Sequence, residues 1–97
     1  MQHQLVWNDL NDGHWAFFCD FHTMTNLLEL NANTFTICHD KCKTMPECTH
    51  YTWNAKNLMC QLKSGRIHKE DAVFIGNGDV SCGLFDIVER EKEIYLF

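Results

Sequence analysis

The sequence predicts an α+β fold in which one helix packs against several short antiparallel strands. Three observations carry that expectation. Only one stretch, Thr34 to Met45, reads as a good helix, and the other ordered runs are short, rich in β-branched and aromatic residues, and separated by turn formers. Six cysteines in 97 residues form an even set that suits disulfide staples. A chain of this length makes one domain.

The elements follow in order. Leu5-Val6-Trp7 is a short apolar strand closed by the turn-forming run Asn8 to Gly13, and Trp15 to Phe21 is a second strand. Thr34 or Thr36 caps the helix and Pro46 stops it. Thr49 to Trp53 and Met59 to Leu62 flank Asn54-Ala55-Lys56-Asn57 as a hairpin. Val73 to Ile75, Asn77-Gly78 and Val80 to Cys82 read as strand, tight turn and strand.

Composition narrows the function. A hydrophobic share of 45% with 22% charged residues suits a soluble globular domain. The longest apolar run, Trp15 to Cys19, is too short for a bilayer, so no membrane insertion is expected. A net charge of -5 argues against nucleic acid as a partner. Met1 to Gln4 lacks the basic start and apolar stretch of a leader, so a secreted form is expected to correspond to a mature segment. The chain has no Asn-x-Ser/Thr sequon and no internal repeat.

Six cysteines allow fifteen pairings, and spacing narrows them without deciding. Cys38 and Cys42 stand at i and i+4, on one helix face, and so cannot easily bond each other. With Pro46 turning the chain, Cys42–Cys48 is a short, reachable bridge. Cys38 then meets the hairpin strand at Cys60, and Cys19 with Cys82 remains.

Several motifs in order resemble a PAN/apple domain. They are Trp15-x-x-x-Cys19-Asp20-Phe21, Cys38-x3-Cys42, Met45-Pro46-x-Cys48-Thr49-His50-Tyr51-Thr52-Trp53, Cys60-x-Leu62-Lys63-x-Gly65 and Ser81-Cys82-Gly83-Leu84. The resemblance spans roughly Leu5 to Leu84 and implies a curled antiparallel sheet around a single helix. It implies the same three disulfides, first to last, second to fifth and third to fourth. It also implies an extracellular, secreted, non-catalytic adhesion module that recognises carbohydrate, as glycan or glycoprotein. The alternative is a protein–protein interaction module of a larger secreted or surface protein. No cofactor is expected.

Rival chemistries are weaker. Cys38, Cys42, Cys48, His50 and Cys60 contain zinc-ligand types, yet no CxxC pair exists and Cys19 and Cys82 would be spare. Cys38 and His39 are adjacent, and adjacent helix residues point apart, which defeats a nucleophile–base pair. Asp9 and Asp12 sit in a turn, where bonding to the backbone explains them.

Two groups are the candidate ligand contacts. Between Lys41 and Lys69 stand six basic residues and one acid, Glu47, and Lys63, Arg66 and Lys69 are its best anion-contacting stretch. Alternation along Thr49 to Trp53 puts Tyr51 and Trp53 on one face. If Cys48 faces the helix, Tyr51 and Trp53 face away, free to stack on a sugar or a partner. Trp7 and Trp15 are expected in the core. The domain is expected to end at Leu84, with 85–97 as an extension. The apolar end of that extension, Ile94 to Phe97, either packs back as an extra strand beside Leu5-Val6-Trp7 or joins two copies as a homodimer.

Overall fold

The computed structural model describes residues 5–22, 26–76 and 78–86. Among these residues there is one α-helix, α1, which runs Phe35–Thr44. The Thr34 hydroxyl accepts the Ile37 amide at 3.2 Å and supplies the cap. Met45 leaves the helix in extended geometry, as the residue before Pro46 must. Cys38 and Cys42, one turn apart, are the buried residues of α1. No helix among the described residues is long and apolar enough to cross a membrane.

Among the described residues there are eight strands: β1 Asn8–Asp9, β2 Gly13–Phe17, β3 Cys19–Phe21, β4 Asn26–Asn31, β5 His50–Asn54, β6 Met59–Lys63, β7 Ala72–Phe74 and β8 Val80–Phe85. Six form one antiparallel sheet in the order β1-β2-β8-β5-β6-β4, and β3 pairs with β7 in a second. The period of two gives the large sheet two distinct faces. On one, Tyr51, Cys60, Leu62 and Phe85 meet Cys38 and Cys42 of α1. On the other, Ala16, Cys82 and Leu84 meet Cys19 and Phe21 of the small sheet and Ile67.

Three disulfides tie these layers: Cys38–Cys60 pins α1 to β6, Cys42–Cys48 closes the helix exit, and Cys19–Cys82 joins the two sheets. Their Cα separations, 5.5, 5.2 and 5.5 Å, lie in the ordinary range. With every cysteine oxidised, none is a thiolate for zinc or for nucleophilic attack.

The structure corrects several expectations. Leu5-Val6-Trp7 is not a strand; pairing with β2 falls to Asn8 and Asp9, inside the expected turn. The expected strand Trp15 to Phe21 breaks at Phe18, whose φ is 61°, and its halves enter different sheets. That corner is held because Phe18 donates to the Val80 carbonyl and accepts from the Ile75 amide, both at 2.9 Å. β7 and β8 do not form a hairpin, since β7 pairs with β3 while β8 lies between β2 and β5. β4, a strand not anticipated, forms an edge on β6. β8 runs through Phe85, and the Asp86 amide donates to the Asp12 carbonyl. The readings of the tail as strand or dimer contact concern residues 87–97, outside the described residues.

Candidate binding site

The strand phase is opposite to that expected for the aromatic pair. Cys48 precedes β5, so the count along the strand does not start from it. Tyr51 and Trp53 point toward α1, with the Phe35 ring 5.5 Å from Tyr51 and 6.4 Å from Trp53. Tyr51 is fully buried and is unavailable to a ligand. Burial also pushes its phenol pKa up.

Trp53 has a different fate. It is half-buried, and its indole N–H donates to the Ala32 carbonyl at 2.8 Å, which fixes the ring. It stands at one end of a groove of about 490 Å³ between α1 and the β2/β8/β5 part of the sheet. Trp15, Phe17 and Phe35 wall the rest. The rings run in series: Phe17 to Trp15 at 4.9 Å edge-on, Trp15 to Phe35 at 5.3 Å, then Phe35 to Trp53. Phe17 is 54% exposed, so much of its apolar ring area is left in water.

The polar atoms of the groove come mostly from the helix. Thr36, His39 and Asp40 line it from α1, and Ser81 lines it from β8. His39 Nδ1 donates to Asp40 Oδ1 at 3.0 Å, and Asp40 is exposed. His39 Nε2 is buried without a hydrogen-bond partner among the described residues. Behind Phe17, a second hollow of about 460 Å³ is lined by Leu5, Val6, Phe18 and Phe74.

The expected cationic stretch does not assemble. Lys63 is 4% exposed, and its ammonium donates to the Phe21 carbonyl at 2.6 Å and to Asp20 at 3.5 Å. A buried ammonium needs those partners, so Lys63 is a strut between β6 and β3 and is lost as a ligand contact. Arg66 and Lys69 are exposed, but Ile67 between them packs on the face opposite α1. The aromatic and cationic candidates therefore lie on different faces of the sheet.

Trp15, expected in the core, is instead half-buried and lines the groove, and Phe17 and Phe35 are aromatic groove residues that were not anticipated. Their signal was present. Trp15 and Phe17 flank Ala16 in one strand, which puts two aromatics on one face with a small buried residue on the other.

A family model for the PAN domain matches residues 20–86. No curated protein matches the chain.

Proposed function

The chain belongs to the PAN domain family, and from that premise we propose that it serves as a non-catalytic extracellular binding module that grips a side chain of a protein partner. Modules of this family mediate protein or carbohydrate interactions, and three disulfides in so small a domain suit an oxidising compartment. The observation that carries the protein reading is the groove of Trp15, Phe17, Phe35 and Trp53, with Phe17 half-exposed. Rigid aromatic walls around an open hollow favour anchoring of one partner side chain.

Carbohydrate recognition is the second reading. It is favoured by the Thr36, Asp40 and Ser81 oxygens beside the rings, the mix that holds a neutral sugar by stacking and hydrogen bonds. Arg66 and Lys69 remain the candidates for an anionic contact on the other face.

A displayed peptide library and a glycan array, both probed with the oxidised chain and its Phe17→Ser variant, separate these readings. Phe17 is exposed enough to be replaced without unfolding the domain. Peptides enriched by the parent chain and lost with Phe17→Ser support the protein reading. Glycan binding alone, or peptide binding indifferent to Phe17→Ser, overturns it.

A further inference from the structure

The groove has a charge character that its apolar walls do not require. Among the described residues that line it, Asp40 is the one carboxylate, and no lysine or arginine is present. Of the two lysines that follow Asp40 on α1, Lys41 is not among the lining residues, and Lys43 is engaged with the Asp12 carboxylate at 3.1 Å. Asp40 gives one oxygen to His39, and a carboxylate has further lone pairs to offer. Four aromatic rings line the hollow beside that one carboxylate, and a ring's face is the negative end of its quadrupole, so any face turned to the hollow attracts a cation.

We infer that the partner's anchor is a cationic side chain, an arginine in preference to a lysine, lying against the Trp15, Phe35 and Trp53 rings with its charge toward Asp40. This rests on the reading of the groove as the binding site. A guanidinium suits it better than an ammonium: it is planar, stacks on rings, sheds water more readily and offers a fork of donors to a carboxylate. The net charge of -5 adds a general attraction for a basic partner. The Trp53 ring, already held by its bond to Ala32, needs little further ordering to receive a ligand.

The test uses the oxidised full chain labelled with nitrogen-15, read through the indole N–H signals of Trp15 and Trp53. Three acetylated and amidated pentapeptides are titrated, each with two leucines on either side of a central residue that is arginine, citrulline or glutamate. Citrulline matches arginine in shape and lacks its charge. The arginine peptide is expected to bind about threefold to thirtyfold more tightly than the citrulline peptide, the span of a cation–π contact with a nearby carboxylate. Raised salt is expected to narrow the gap, and Asp40→Asn to reduce it to about twofold or less. Equal binding of the arginine and citrulline peptides, or tighter binding of the glutamate peptide, overturns the cationic anchor while leaving the groove as the site. If no peptide moves either indole signal, the reading of the groove itself falls.

Discussion

The Tyr51 hydroxyl and ring occupy the space that a side chain at Gly83 would need. The two residues are register partners across β5 and β8, and a Cβ on Gly83 would collide with the Tyr51 hydroxyl and the carbon that bears it. Glycine at 83 is thus the condition for an aromatic ring lying flat over the middle of the sheet.

Gly83→Ala is expected to cost about 1–3 kcal/mol, the scale of overpacking in a closed core. Tyr51→Phe should behave unusually. The hydroxyl is buried with no partner among the described residues, so its removal relieves a desolvation cost. Its stability is expected to be unchanged or higher by about 1 kcal/mol. Denaturant unfolding of the two variants checks both, and a Tyr51→Phe loss above about 1 kcal/mol would show that the hydroxyl is bonded after all.

His50 makes stability depend on pH. It is fully buried, and burial first, then the Lys63 charge, lowers its pKa to about 4 from 6.5. The Thr49 hydroxyl donates to the Gly65 carbonyl at 2.7 Å, so its oxygen accepts from His50 Nδ1 at 2.8 Å, which places the neutral ring's proton there. The unfolded chain takes up this proton more readily than the folded one. The contribution is therefore full above about pH 6.5 and is lost as pH falls toward 4, by about 3 kcal/mol in all. Denaturant midpoints at pH 4, 5, 6 and 7 should fall on acidification, with a shallower slope in His50→Gln. Equal slopes would remove His50 as the cause.

Lys63→Met strips the Phe21 carbonyl and Asp20 of their shared cation. A loss of about 2 kcal/mol is expected, the worth of hydrogen bonds to a charged donor. The same change should raise the His50 pKa, since the Lys63 charge is its second cause of depression. Carbon-13 titration of the His50 ring reads the shift, and an unmoved midpoint would mean that burial alone sets it.

The three disulfides are unequal. Enclosed loops of sequence separation 63, 22 and 6 are worth about 4, 3 and 2 kcal/mol in the chain-entropy model, counted singly. Replacing Cys42 and Cys48 by alanine should leave a folded domain, whereas replacing Cys19 and Cys82 should cost roughly twice as much and loosen the small sheet. Thermal unfolding orders the variants, and intact mass with and without reductant should differ by six hydrogens.

Parts of this fold are legible from local chemistry. The Thr34 cap, the Pro46 stop and the i, i+4 cysteines define α1, and the paired asparagines define the β5–β6 turn, where Asn54 Oδ1 accepts the Lys56 amide at 2.8 Å. What escaped depended on distant partners. Phenylalanine has no preference for positive φ, so the break at Phe18 is fixed only by Val80 and Ile75. β4 shows no clean alternation because Leu27 and Leu28 are both exposed on an edge. Alternation shows that Tyr51 and Trp53 share a face but not which face meets the helix. Lys63 reads as surface charge until the Phe21 carbonyl, 42 residues away, is placed beside it.

The position of β8 sets an order of assembly. The last described strand sits in the middle of the large sheet, between β2 and β5, and Cys82 on it closes the longest loop. During synthesis, β2 and β5 must wait as open edges until residues 80–85 emerge, so the sheet's centre is completed after its flanks. Pairings of this span are slow to form. The Cys19–Cys82 bond can seal only at that final stage, making the oxidised domain a record that its whole sheet has been threaded.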